Sequence, residues 1–366
     1  MKLVDDMEYL ETGDEEPKTK GVAGQIVRVI LILLIFTVVA WFLLNFLTKL
    51  LENKKDDPET ITYTQEEMDE LVAKMESEAD LKADEAAHLA RQEVLSDIKV
   101  SLEEGNTYVE TLRPLYPDDI VIVSNGGFYF LPIRDDLKKN SFTEENLVIS
   151  EDGIFSYTDG EKTITHKGID VSKFQGDKID WNEVASDGVE FAILRAGLRG
   201  YGSGKLVEDE TFKDNAKNAA AAGIHVGAYF FTQAINEDEV KEEAQMLFDL
   251  LEGCDITAPV VVDVEKINDD TARMNALTPS ERTDLVIKFC EMIENAGYKP
   301  MIYHNMEMSL IMLEMERLEQ YDKWFAYYNP NFYYPYEYKV WQYSEKGKVK
   351  GIKEPVDLNI SFEEIW

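Results

Sequence analysis

Two carboxylates at i and i+2 close an apolar run, Val260-Val-Val-Asp263-Val-Glu265. Side chains alternate along a strand, so Asp263 and Glu265 project to the same side. Asp170 ends a second run, Ile169-Asp170-Val-Ser172, and Asp357 lies in a third, Val356-Asp357-Leu-Asn-Ile360. Aromatic residues recur in neighbouring runs: Tyr229 and Phe231, Tyr303, Trp324 and Tyr327, Trp341 and Tyr343. Acids in a cleft walled by rings suit the hydrolysis of a glycosidic bond. One carboxyl is kept protonated to donate to the leaving oxygen, another faces the developing positive charge, and ring faces pack on sugars. A solvated loop is the competing explanation of Asp263 and Glu265, weakened by the buried character of the preceding Pro259-Val-Val-Val262. A cation site is the other, and no histidine is placed with these acids. No metal and no cofactor are therefore expected.

Other sources of chemistry fail on inspection. Gly200-Tyr-Gly-Ser-Gly-Lys205 resembles a phosphate loop, but Leu206 stands where Ser or Thr should bind the metal. There is no G-x-S-x-G elbow for a serine nucleophile. The four histidines share no ligand spacing, and His304 reads as a bystander beside the cleft. Cys254 and Cys290 are the only cysteines and form no CxxC; two buried thiols are favoured over a single bridge.

The elements that must carry the acids alternate from Lys167 onward. Apolar runs at 167–174, 190–197, 225–231, 258–265 and 299–305 are each followed by a helical stretch, at 181–186, 211–222, 236–251, 279–296 and 306–319. Three more runs, at 323–329, 338–344 and 355–360, follow with loops only. Strand–helix alternation predicts right-handed βαβ units and a parallel sheet. The fold class is α/β, a reduced TIM-like (β/α)5β3 barrel, whose chemistry sits at the C-terminal ends of the strands.

The order of blocks Asp170-VSKFQ-Gly176, Asp180-Trp181, Phe191-AILRA-Gly197, Gly227-AYF-Phe231, Pro259-VVVDV-Glu265, Ala296-GYKPMI-Tyr303, Trp324-FAY-Tyr328, Val340-WQY-Ser344 and Val356-DLN-Ile360 resembles glycoside hydrolase family 25. These are the Chalaropsis-type lysozymes, or N-acetylmuramidases, and the resemblance covers about residues 166–366. It implies hydrolysis of the β-1,4 bond between N-acetylmuramic acid and N-acetylglucosamine in peptidoglycan. It also implies Glu265 as general acid and Asp263 as stabiliser of the developing charge or of the acetamido group. Asp170 then completes the acidic cluster and Asp357 lines the site. The expected partner is peptidoglycan glycan strands. The competing function is a non-catalytic peptidoglycan-binding anchor that uses the same cleft, and intact Asp170, Asp263 and Glu265 argue against it.

The rest of the chain reads as delivery apparatus. Residues 1–21 form an acidic tail. Residues 22–50 contain a twenty-residue uncharged run, Val29–Thr48, about 30 Å as a helix and long enough to cross a bilayer. A cleaved signal peptide would have a shorter apolar core. Lysines flank the run on both sides, so charge barely orients it; a wall hydrolase places the N-terminus inside and the C-terminal domain outside, facing the cell wall. Residues 51–105 are an acidic helical stalk with an apolar stripe through Met68, Val72, Met75, Ala79, Leu89, Val94, Ile98 and Leu102. The stripe is either a coiled-coil seam, for a dimer or membrane complex, or one side of a lone spacer helix. Residues 106–165 form a small β-rich module with a hairpin turn at Asn125-Gly126-Gly127, which either binds polymer or positions the barrel. Thirty-seven basic against seventy-two acidic residues, a net charge of −35, exclude nucleic acid as a partner.

Overall fold

The computed structural model describes residues 41–49, 63–176 and 178–366. The acidic tail and residues 22–40 and 50 of the expected membrane segment lie outside them. No helix among the described residues is long and apolar enough to cross a membrane. The chain divides into two compact units, Met1–Glu103 and Glu104–Trp366.

In the first unit, helix α1 (Gln65–Glu103) runs for 39 residues, about 58 Å at 1.5 Å per residue. Its start is capped reciprocally: Glu67 N donates to Thr64 Oγ1, and Thr64 N donates to the Glu67 carboxylate. No residue of α1 is buried, and Met68, Val72 and Met75 of the stripe are exposed among the described residues.

The second unit opens with helix α2 (Tyr108–Leu112) and two antiparallel strands, β1 (Asp119–Ser124) and β2 (Gly127–Pro132). Strands β3 (Leu147–Ile149), β4 (Phe155–Asp159) and β5 (Lys162–Thr163) make a small sheet. The barrel strands are β6 (His166–Val171), β7 (Phe191–Arg199), β9 (His225–Phe231), β10 (Val260–Asp263), β11 (Pro300–Asn305), β12 (Asp322–Ala326), β13 (Val340–Gly347) and β14 (Val356–Ser361), with β8 (Leu206–Glu208) added to β7 as a hairpin. Helices α3 (Trp181–Ser186), α4 (Phe212–Ala221), α5 (Glu237–Leu251) and α6 (Pro279–Asn295) lie between strands. The order is β6-β14-β13-β12-β11-β10-β9-β7-β8, and β6 also pairs with β7. The result is a closed eight-stranded barrel in a mixed α/β fold.

Two details depart from the expected (β/α)5β3 plan. The fifth helix, expected over 306–319, is a π-helical turn (Met308–Met312) followed by a 3-10 turn (Met315–Arg317). The last strand is not parallel: β14 pairs antiparallel with both β13 and β6. Residues 348–355 alone join β13 to β14, too short a connection for the crossover that a parallel pair needs.

Helix termini are well specified. Thr278 and Glu281 form a capping box before Pro279 at the start of α6, and Asn236 Oδ1 accepts from Glu239 N at α5. The β10 run Val260-Val-Val-Asp263 is wholly buried, as a parallel strand covered on both faces requires.

The stretch expected as a separate module at 106–165 packs into the same unit as the barrel. Phe142 stacks on Phe362 with centroids 3.9 Å apart, and Phe155 stacks on Tyr343 at 4.3 Å. Asn140 Nδ2 donates to the carbonyls of Tyr334 and Tyr336.

Candidate active site

The barrel interior is filled by Phe191, Ile193, Val261, Met301, Tyr303, Trp324 and Val340, with Tyr229 packed against them. Strand alternation then carries the next inward positions to the C-terminal mouth: Asp170, Arg195, Asp263 and Gln342. Registers fix their neighbours. Asp263 lies beside Phe231 on β9 and Tyr303 on β11, and Asp170 lies directly opposite Asp357 on β14.

Asp263 is 5% exposed. No N–H or O–H donor among the described residues reaches its Oδ1, but its carboxyl shares a hydrogen bond with that of Glu265. Burial pushes Asp263 well above the usual carboxylate range, and Glu265 and Asp170 push it further. Burial also raises Glu265; the bond to Asp263 opposes this and the charge of Asp170 adds to it. Burial is the first cause of both shifts, and the two carboxyls titrate as a pair.

Asp170 is clamped from below. Its Oδ2 accepts from Gln342 Nε2 and Asn359 Nδ2, each at 2.8 Å. Gln342 Oε1 in turn accepts from the hydroxyls of Tyr303 and Tyr328, each at 2.8 Å. Asn359 Oδ1 accepts from Trp324 Nε1 at 2.8 Å. Burial raises Asp170, while these amides favour its charged form. Asp357 is pushed up to about 9, first by burial and then by the facing charge of Asp170. Four carboxyls thus share one buried site, and all four are shifted towards protonation.

An open cleft of about 700 Å³ lies over the pair, lined by Asp263, Glu265, Tyr229, Phe231, Arg195 and Tyr201 among others. Arg195 is fixed by Asp209, whose Oδ2 lies 2.9 Å from its Nε, and its positive charge partly offsets the upward push on Asp263. Residues 169–352 match the family model for glycosyl hydrolases family 25. The chain belongs to glycosyl hydrolase family 25. It is therefore a glycoside hydrolase of the lysozyme, or muramidase, type.

Relatives of this family 25 hydrolase include the uncharacterized protein YegX of Escherichia coli K12. That protein is 28% identical over 209 residues, which is 54% of this chain and 69% of the relative. The autolytic lysozyme of Clostridium acetobutylicum is 27% identical over 196 residues, 53% of this chain and 55% of that protein. Among solved structures, the spore cortex lytic enzyme SleM of Clostridium perfringens aligns with a TM-score of 0.47 at 25% identity, covering 55% of this chain and 68% of that one.

Within the family 25 barrel, the expected aromatic wall divides. Tyr229 and Phe231 line the cleft. Tyr303 and Trp324 lie beneath it, as the buried supports of Gln342 and Asn359. Trp341 and Tyr343 do not reach it. Along β13 the inward residues are Val340 and Gln342, so the two rings turn outward and pack against Phe155. Tyr327 also points away: its hydroxyl accepts from Arg113 and donates to Asn331. His304 is buried between Phe325 and Tyr334 and its pKa falls to about 4, a bystander in the wall. Among the described residues no group of three or more His, Cys, Asp or Glu is arranged to hold a metal ion, and both cysteines are free.

Sequence reasoning missed Arg195, Gln342, Asn359, Tyr328 and Tyr201. Gln342 and Asn359 were within reach: each is a polar residue at an inward position of an otherwise apolar strand, and a buried amide needs a partner. Tyr201 was hidden in the rejected phosphate-loop motif, which forms the β7–β8 turn on the cleft rim.

Proposed function

We propose that this protein is a membrane-anchored N-acetylmuramidase that cuts the β-1,4 bond between N-acetylmuramic acid and N-acetylglucosamine in peptidoglycan. The observation that carries this reading is the cluster of four carboxyls, Asp170, Asp263, Glu265 and Asp357, gathered at the mouth of a family 25 barrel and all shifted towards protonation. Glu265 lies two residues beyond the end of β10 and has one more methylene than Asp263. It delivers the proton to the glycosidic oxygen. As the leaving group departs, Asp263 faces the oxocarbenium-like centre or the acetamido group as a carboxylate. The shared hydrogen bond lets the proton pass from Asp263 to Glu265 without leaving the site. Gln342 and Asn359 keep Asp170 oriented, and Asp170 supplies the field that disfavours loss of the proton. Tyr229 and Phe231 offer ring faces to the sugars.

The uncharged run at 29–48 supports an anchor in the cell membrane, with the N-terminus cytoplasmic and the hydrolase domain outside, facing the wall. Helix α1 then acts as the spacer, alone or paired with a second copy, and the activity is local: remodelling, or opening the wall for a secretion or conjugation apparatus. Mass spectrometry of digested peptidoglycan tests the chemistry: the new reducing ends should be muramic acid. Reducing-end glucosamine would overturn the assignment. Reporter fusions test the topology, and a C-terminal reporter found in the cytoplasm would refute it.

A further inference from the structure

The β1–β2 hairpin precedes the stretch matched by the family model, yet it is fastened to the rim of the active site. Lys266 Nζ donates to Asn125 Oδ1 at 2.7 Å and to Glu307 Oε1 at 2.5 Å. Ser124 Oγ donates to the same Glu307 carboxylate, and Arg113 Nη1 donates to the Tyr327 hydroxyl at 2.8 Å. Lys266, Glu307 and Tyr327 follow strands β10, β11 and β12, at the ends that form the mouth of the barrel. Lys266 is the residue next to Glu265. The tip of the hairpin is therefore tied one residue away from the acid pair.

That tip is also rigid. Asn125 and Gly126 have φ of +49° and +77°, the left-handed pair that a two-residue hairpin turn of matching twist requires. The strand that leaves it carries Phe128, Tyr129 and Phe130, which are 46%, 37% and 39% exposed. In the register, Val123 faces Phe128 and Val121 faces Phe130, so Phe128 and Phe130 share one face of the ribbon with half-exposed Val123. Tyr116 packs its ring on Phe130 with centroids 4.5 Å apart. Tyr129 lies on the opposite face, across from Ile122. Exposed Phe128 and Phe130, with Val123 beside them, make an apolar patch on one face of the ribbon, and a patch of this kind marks a binding surface.

We propose that this hairpin is an accessory wall of the cleft, on which Phe128 and Phe130 stack against sugar rings of the glycan strand that continues beyond the site of cleavage. This rests on the reading of peptidoglycan as substrate. The occupant follows from continuity: a polymer held at Glu265 must run on past the neighbouring residues, and Lys266 joins them to the hairpin. Flat rings suit the apolar faces of pyranoses. The β7–β8 turn, with Tyr201 at 40% exposure, lines the cleft at Asp263 and Glu265 and completes the channel.

The test uses the full chain. Phe128→Ala and Phe128→Ser, at a ring that makes no aromatic contact among the described residues, are assayed on long glycan strands and on fragments of two disaccharide units. The expected result is a KM for long strands raised roughly tenfold, the effect of losing about one stacking contact, with kcat unchanged and short fragments cut as by wild type. Thermal midpoints should be unaltered. Equal change on both substrates, or none on either, overturns the wall while leaving the muramidase reading intact. A wild-type dimer that dissociates in the variants overturns it in favour of a second copy on the patch. Wild-type protein that cuts neither substrate refutes the muramidase reading, and the wall with it.

Discussion

Replacing Glu265 by Gln isolates the transferable proton from everything else the residue does. The carboxyl is mostly buried and shares a hydrogen bond with Asp263. A Gln side chain has the same length, and its amide can donate to Asp263, so the cleft keeps its shape while losing the acid. General acid catalysis contributes about 10²–10⁴-fold, or roughly 2.7–5.5 kcal/mol at 1.36 kcal/mol per decade. The kcat on peptidoglycan should fall by that factor. Stability should not fall with it. Glu265 has its pKa raised in the folded state, so the stability it contributes is fully present below the ordinary carboxyl value of 4.5 and is lost as pH rises through the folded value. Gln cannot ionise, and the variant should match wild type at pH 4 and equal or exceed it at pH 8, measured by urea unfolding. The alkaline limb of the wild-type pH–rate profile belongs to the Asp263–Glu265 pair and should be displaced in the variant. An aryl glycoside whose leaving group needs no proton should lose far less rate than peptidoglycan. A folded Glu265→Gln protein with near-wild-type turnover on peptidoglycan would refute the assignment, and an equal loss on the aryl glycoside would show that Glu265 does something other than protonate.

Asp357→Asn should raise the thermal midpoint at pH 8 and leave it unchanged at pH 4: the folded pKa of about 9 means that the buried carboxyl resists an ionisation that the unfolded chain makes freely. Relief of even about 1 kcal/mol corresponds to roughly 2–4 °C, visible by calorimetry across the two pH values. Asn359→Leu removes a donor to Asp170 and the acceptor of Trp324 Nε1; it should cost about 1–3 kcal/mol in denaturant titration and lower kcat by disorienting Asp170. Gly168→Ala places a methyl inside the ring of Phe191, at the centre of β6, and should cost about 1–3 kcal/mol or more by the same titration.

The acid triad was legible because its determinants are local. A carboxylate pair at i and i+2 behind an all-apolar run reports both the strand and the shared direction of its side chains, and the alternation of runs and helices gave the barrel. What was not legible depended on pairing. Trp341 and Tyr343 were placed in the cleft because rings near a strand end look like sugar platforms, but on β13 the pleat assigns the inward position to Gln342. The facing of Asp357 and Asp170 followed only from the antiparallel return of β14, for which the sequence offered no turn signal. The exposed rings of β2 read as ordinary core of a small module, since a two-stranded ribbon and a buried strand share the same composition. The helix expected over 306–319 had suitable propensity, yet Met308–Met312 adopts a π-helical turn; the structure supplies no local cause for it.

Because β14 lies between β6 and β13, the barrel is shut by the last of its own strands in chain order. Asp170 waits for an amide 189 positions further along the chain, and until Asn359 and Asp357 arrive the first and penultimate barrel strands have no hydrogen-bonded neighbour between them. Contacts so distant in sequence form slowly. The surroundings of the acid pair are therefore completed last, when β14 pairs with its two neighbours. A domain whose eighth strand has not paired carries Asp263 and Glu265 without the clamp on Asp170. A hydrolase built this way is timed by its own topology: it is finished only when the barrel closes.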